Sequence, residues 1–273
     1  MTRSTPGIIA AGHKATAQAG QRILSLGGNA FDAAVAAAFV SFIAEPSLTS
    51  LGGGGFMTAF DKYGKSLVYD FFVQTPQIRR KIEEIEFILS QINFGTTVQE
   101  QYIGRGAVAV PGCPAGLFHI HEQLGQLPLH EILAPAIELG REGLEVTPYQ
   151  SYTISILEPI LLYSEASKTV FAIGDRLIKE GEWMKRPQFA DTLEYLGKEG
   201  VRDFYEGDIA KLFIGEQESY GSLTMEDLKN YQVRERTPVK YNYRDHTFLT
   251  NSPPSAGGSM ISYGLASLSD LTL

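Results

Sequence analysis

The sequence predicts an α+β layered protein in which strands come in hairpins and helices cover them. Three observations carry that reading. Two pairs of short apolar runs, within residues 56–72 and 237–250, are each joined by a tight turn. Much of the sequence between them has apolar residues at helical spacing. The elements also follow one another in mixed order, without the regular strand-helix-strand alternation of a parallel sheet.

In residues 13–26, Ala15, Ala19, Ile23 and Leu26 mark one helix face, and Gly27-Gly28 supplies a stop. Asn29 then opens a second helix through Ala33, Ala34, Ala36, Ala37 and Ala38, whose small side chains permit close approach by neighbours. The apolar run from Phe31 to Ala44 is too short to cross a bilayer and is bracketed by Asp32 and Glu45. A buried helix is expected, with no membrane partner.

Four glycines, Gly52 to Gly55, lead into a strand over 56–61, and after Lys62-Tyr63-Gly64 a second strand follows over 66–72. Residues 78–89 read as a helix, with Arg79-Arg80-Lys81 balanced by Glu83, Glu84 and Glu86 on a solvated face. A short strand over 107–110 is closed by Pro111-Gly112, and helical segments follow at 114–124, 130–141, 149–157, 189–196 and 207–216. Thr224 and Asp227 fit a capped helix start. Two more strands, 237–243 and 245–250, precede Gly257-Gly258 and a final apolar helix.

Of 273 residues, 44% are hydrophobic and 20% charged, the composition of an ordinary globular protein, and no linker or charge block divides the chain. Residues 1–273 are therefore expected to form a single domain. The net charge of -8, with no long basic run, argues against nucleic acid as a partner. The single cysteine, Cys113, excludes an internal disulfide and reads as a small buried apolar residue. His119 and His121 stand two apart, so a helix turns them to different faces and no zinc pattern results. The start, Met1 to Pro6, leads into folded-looking sequence without an apolar leader core, which favours the cytoplasm.

Other candidates have bland readings. The glycine run lacks the Lys-Ser or Lys-Thr of a phosphate cradle and is expected to be a turn. Ser255, in Pro253-Pro254-Ser255-Ala256-Gly257-Gly258, is not in a nucleophile elbow and is expected in a shaping loop. Trp183 is expected to cover apolar surface.

The segments Gly27-Gly28-Asn29-Ala30-Phe31-Asp32-Ala33-Ala34 and Leu51-Gly52-Gly53-Gly54-Gly55-Phe56-Met57 resemble the start of gamma-glutamyltranspeptidase large subunits. Pro111-Gly112-Cys113-Pro114-Ala115-Gly116, Ala134-Pro135-Ala136-Ile137-Glu138-Leu139, Phe204-Tyr205-Glu206-Gly207, Leu223-Thr224-Met225-Glu226-Asp227-Leu228, Glu235-Arg236-Thr237-Pro238 and Pro253 to Gly258 extend the resemblance in order over nearly the whole chain.

The resemblance implies a four-layer αββα N-terminal-nucleophile hydrolase fold, incomplete without a small subunit. It also implies a gamma-glutamyltransferase or glutathione hydrolase, autoprocessed so that a threonine at the new N-terminus of the small subunit attacks a gamma-glutamyl or related acyl amide. No metal or organic cofactor is implied. The processing signature Thr-His-x-Ser-Val-x-Asp is absent, and in Gly95-Thr96-Thr97-Val98 a valine stands where histidine should follow. No catalytic residue is therefore expected in this chain, which alone should be inactive. The alternatives are a non-catalytic scaffold or binding protein, and the large subunit of an acylase-like relative. If a small subunit completes the sheet, the isolated chain should expose sheet edge and self-associate.

Register with the family places Phe72 at a substrate-binding position, where glutathione-using members carry an arginine for the substrate α-carboxylate. Phenylalanine makes no charge-assisted bidentate contact, which favours a non-glutamyl or modified acyl donor. The competing reading packs Phe72 in the core and takes the charge from Arg79 or Arg105. Asp70 likewise either orients a backbone group or an arginine, or caps a strand end.

Overall fold

A computed structural model describes residues 7–216 and 220–269; the reading of Met1 to Pro6 lies outside the described residues. Helix α1 (Lys14–Ser25) starts where the His13 ring accepts from the Ala15 amide at 3.1 Å. It ends before Gly27, whose φ of 95° favours glycine. Helix α2 (Ala30–Ala44) begins with a reciprocal cap: Asn29 Oδ1 accepts from the amides of Phe31 and Asp32, and the Asp32 carboxylate accepts from the Asn29 amide at 2.9 Å. Ala33, Val35, Ala36, Phe39, Val40, Phe42 and Ile43 are buried, so α2 is covered on most sides as its composition predicts.

Strands β1 (Gly55–Phe60) and β2 (Ser66–Phe71) form the expected antiparallel hairpin, with Gly55 opposite Phe71 and Phe60 opposite Ser66. The expected helix over 78–89 is replaced. Only a single 3-10 turn, Ile82–Glu84, forms there, followed by a hairpin of β3 (Ile88–Asn93) and β4 (Val98–Ile103). The decisive pattern is alternation: Ser90 and Ile92 are buried while Leu89 and Gln91 are exposed, and Gly95 turns the chain at φ 89°. The charges of 79–86 consequently share no helix face. The expected strand at 107–110 also shrinks, to a 3-10 turn at Arg105–Ala107 and a two-residue bridge between Val110 and Gln74.

Helices α3 (Cys113–Leu124) and α4 (Leu129–Glu142) pack over α2, with Phe118 edge-on to Phe39 at 6.0 Å between ring centroids. Next come β5 (Leu144–Glu145), α5 (Pro148–Ile156), α6 (Glu158–Leu161) and α7 (Glu165–Phe171). Short strands β6 (Ala172–Ile173), β7 (Arg176–Leu177) and β8 (Trp183–Met184) follow. Trp183 leaves much of its ring in solvent and donates from Nε1 to the Glu142 carbonyl at 2.7 Å, so it closes the α4 end more than it covers apolar surface.

Helix α8 (Pro187–Glu199) lies along α4, and α9 (Arg202–Glu206), α10 (Asp208–Gly215) and α11 (Met225–Lys229) complete the helical side. Strand β9 (Arg234–Arg236) then adds to the outer edge of β2, pairing Val68 with Arg236 and Asp70 with Arg234. The resulting sheet has the order β1-β2-β9, and among the described residues the other edge of β1 has no strand partner. The expected last hairpin forms from β10 (Val239–Tyr243) and β11 (His246–Thr250). Helix α12 (Ala256–Leu268) starts one residue before Gly257, so the two glycines sit inside its first turn rather than ahead of it. A Cβ on Gly258 would lie 2.0 Å from the Asn251 carbonyl oxygen, and that close approach is what the glycine provides. No helix among the described residues is long and apolar enough to cross a membrane.

Candidate functional site

The chain leaves β2 at Phe71, and the segment from Phe72 to Gln77 is fixed by side chains from distant parts of the sequence. Asp70, buried, accepts from Arg236 Nε at 2.6 Å through one carboxylate oxygen and from the Phe72 amide at 3.1 Å through the other. Of its two sequence readings, the one that orients a backbone amide and an arginine is realised. The Phe72 carbonyl accepts from the Tyr231 hydroxyl at 2.9 Å, and Gln74 exchanges two backbone bonds with Val110 at 3.2 and 2.8 Å. The Gln77 amide donates at 2.8 Å to Asp227, the residue that also closes the cap of α11 with Thr224.

A second layer holds the first. Tyr231 stacks on Tyr205 at 5.6 Å, and Tyr205 donates to the Pro111 carbonyl at 2.8 Å while accepting from the Ala115 amide at 3.2 Å. Burial pushes both phenols well above the ordinary tyrosine value, which keeps each hydroxyl a donor. The glycine motifs converge on the same place. A Cβ on Gly54 would stand 2.8 Å from the Phe71 carbonyl oxygen, one on Gly112 1.9 Å from that oxygen, and one on Gly116 2.1 Å from the Phe71 ring. Gly53 completes the bracket by accepting from the amides of Gly112 and Cys113 at 2.8 and 3.0 Å.

Held this way, Phe72 turns its ring outward. It is 48% exposed and stacks on Phe56 at 5.4 Å, across the end of the β1-β2 hairpin. Arg105 lies 3.9 Å from the Glu86 carboxylate, and its amide donates to the same group at 3.0 Å. The Tyr163 hydroxyl, first, and that Arg105 amide hold Glu86 below the usual carboxylate range. Arg79 instead lines an open cavity of about 1170 Å³ together with Thr75 and Pro76.

The remaining sequence candidates fall away from this segment. His121 bonds the Leu127 carbonyl at 2.8 Å, whereas the His119 ring meets Tyr69 at 5.8 Å, so the two rings do diverge. No group of three or more potential metal ligands occurs among the described residues. Burial pushes the Cys113 thiol up to about 12, far from a reactive thiolate. Thr97 closes the β3-β4 turn through its carbonyl, 2.8 Å from the Phe94 amide. Tyr205, Tyr231 and Arg236 act as supports that no spacing in the sequence signals, although Tyr205 lies in Phe204-Tyr205-Glu206-Gly207 and Arg236 in Glu235-Arg236-Thr237-Pro238.

The fold is that of N-terminal-nucleophile hydrolases of the gamma-glutamyltranspeptidase type. The crystal structure of Helicobacter pylori gamma-glutamyltranspeptidase matches it with a TM-score of 0.87 at 28% identity, covering 100% of this chain and 77% of that one. The family model described as Gamma-glutamyltranspeptidase matches residues 16–272, and the chain belongs to that family. It is 33% identical to a glutathione hydrolase proenzyme of Pseudomonas aeruginosa, over 92% of this chain and 44% of that protein. It is 31% identical to the Acylase ACY 1 proenzyme of Pseudomonas sp. strain V22, over 92% of this chain and 46% of that protein. The chain thus spans less than half the length of these two curated relatives.

Proposed function

We propose that this chain, as one domain, is the large-subunit component of a gamma-glutamyltransferase or glutathione-hydrolase-like enzyme that cleaves gamma-glutamyl or related acyl amides. The nucleophile is an N-terminal threonine on a small subunit, and this chain alone is inactive. The observation that carries the reading is the half-built sheet. Among the described residues strand β1 pairs on one side only, and the exposed Phe60 and Phe72 lie at the two ends of its hairpin with β2. Strands from a partner satisfy the free backbone groups there and bring a terminal residue beside Phe72.

The chemistry then divides between the two chains. The partner's threonine hydroxyl oxygen bonds to the acyl carbon while its own α-amine takes the proton, the amide C–N bond breaks, and the amine leaves with that proton. Water or the amine of an amino acid next attacks the ester carbon and gives a proton to the α-amine, the ester C–O bond breaks, and the threonine oxygen takes that proton back. This chain positions the acyl group, and Phe72 presents it with an apolar surface. A ring held by stacking offers no charge to an α-carboxylate, which supports an acyl donor without the glutamyl α-amino acid head; kinship to a protein named as an acylase points the same way.

Hydrolysis of gamma-glutamyl and glutaryl anilides by the two-subunit protein tests the reading. Glutaryl anilide is expected to be the better substrate, and Phe72→Arg is expected to move kcat/KM towards the gamma-glutamyl compound by about tenfold. Strong preference for the gamma-glutamyl anilide, undiminished in Phe72→Ala, contradicts the specificity; no turnover of either compound contradicts the enzyme.

A further inference from the structure

Beyond Phe72 the fixed segment runs directly into the wall of the cavity of about 1170 Å³, to which Thr75 and Pro76 contribute. Arg79, Arg80 and Lys81 line the same space, with Phe87 as an apolar part of the lining and Glu83 as its carboxylate. Three cations face one anion in the lining, and with Glu84, whose carboxylate accepts from the Lys81 amide at 3.4 Å, the cluster still carries a positive excess in a chain whose net charge is -8. The arginines nearby are committed elsewhere: Arg105 to Glu86 and Arg236 to Asp70. Among the described residues, Arg79, Arg80 and Lys81 have no ion-pair partner. Consecutive cations repel one another, and an anion placed among them relieves that repulsion.

We propose that this cleft is a subsite for the carboxylate-bearing extension of an acidic acyl-amide substrate. Carboxylate matches the guanidinium fork in plane and spacing, and two adjacent arginines present two such forks. A volume of this size exceeds what a single amino acid fills and suits a peptide-sized chain, and the three adjacent cations suit one that carries more than one carboxylate. The proposal rests on the acyl-amide reading above and deepens it. The extension's charge is recognised at 79–81, while the acyl group lies against the apolar ring of Phe72.

The test is calorimetric titration of the natively purified full-length protein with a synthetic tri-glutamate peptide at low ionic strength. The double variant R79Q/R80Q is expected to bind about tenfold more weakly or worse. R79K/R80K, which keeps the charge, is expected to recover part of that loss. K14Q/K65Q, the same charge change at exposed positions outside the cleft, is expected to stay within about twofold of the parent. Thermal melts matching the parent establish that each variant is folded.

Equal binding by parent and R79Q/R80Q overturns the proposal, as does an equal loss in K14Q/K65Q. Binding of neutral tri-glutamine with the same affinity also overturns it, as does equal displacement of the peptide by inorganic phosphate. Because binding is read without turnover, the two readings fail separately. Intact peptide binding with no anilide hydrolysis removes the enzyme and keeps the cleft, whereas hydrolysis without peptide binding does the reverse.

Discussion

Phe71 shows how one residue organises the site from behind. Its carbonyl and ring are enclosed by Gly54, Gly112 and Gly116, and the next carbonyl along is held by Tyr231. Gly112→Ala would set a methyl group 1.9 Å from the Phe71 oxygen, where a rigid backbone and not a flexible side chain must yield. A loss of about 3 kcal/mol is expected from urea denaturation of the purified protein. Tyr231→Phe removes one hydrogen bond and is expected to cost about 1 kcal/mol, with a larger effect on anilide kcat than on KM if the Phe72 backbone drifts.

Cys113 permits a sharper chemical test at this scale. Burial raises its thiol from 9.0 to about 12, so the folded protein favours the neutral form. That contribution to stability is whole below pH 9.0 and is lost as pH rises towards about 12. At pH 8 iodoacetamide is expected to modify Cys113 at least about a hundredfold more slowly in the native protein than in urea, read by mass spectrometry.

Among the elements, α2 is the one most fully written in the sequence. Asn29 announces its start, and the structure adds that Asp32, 0% exposed, closes the cap and also accepts from the amides of Gln126 at 3.0 Å and Leu127 at 3.3 Å. Asn29→Ala is expected to cost about 1 kcal/mol as an ordinary cap loss. Asp32→Ala leaves the part-buried amides of Asn29, Gln126 and Leu127 without their acceptor together and is expected to cost about 3 kcal/mol, with Asp32→Asn recovering part, by the same denaturation midpoints.

The β3-β4 hairpin is the opposite case. Residues 78–89 carry apolar and charged side chains that satisfy a helical period, yet the alternation that fixes β3 begins only at Ile88 and its partner strand lies beyond Gly95. A window ending at Leu89 holds two of the six β3 residues, none of β4 and none of the turn. Pairing between segments is a tertiary event, and local spacing alone does not decide it. The same limit applies to β9, three residues long, which exists because β2 offers it an edge.

For the whole molecule, the family motifs were legible because each is a short run of neighbouring residues. Their meeting point was not. Gly54, Gly112 and Tyr231 are far apart in sequence, and nothing in their spacing says that all three address Phe71 and Phe72. Phe72 is read in the sequence only through the arginine that the resemblance implies there, while its 48% exposure and its stacking on Phe56 depend on the folded hairpin.

The open edge of β1 belongs to this scale as well. Expressed alone, the chain is expected to elute by size exclusion as oligomers and to bind a hydrophobic dye, and a single cooperative monomer would contradict its dependence on a partner. Native intact-mass spectrometry of the purified full-length protein examines that dependence directly. A second, co-purifying chain beginning with threonine is expected, with anilide hydrolysis only in fractions that contain both masses. Hydrolysis by a fraction holding residues 1–273 alone would contradict it.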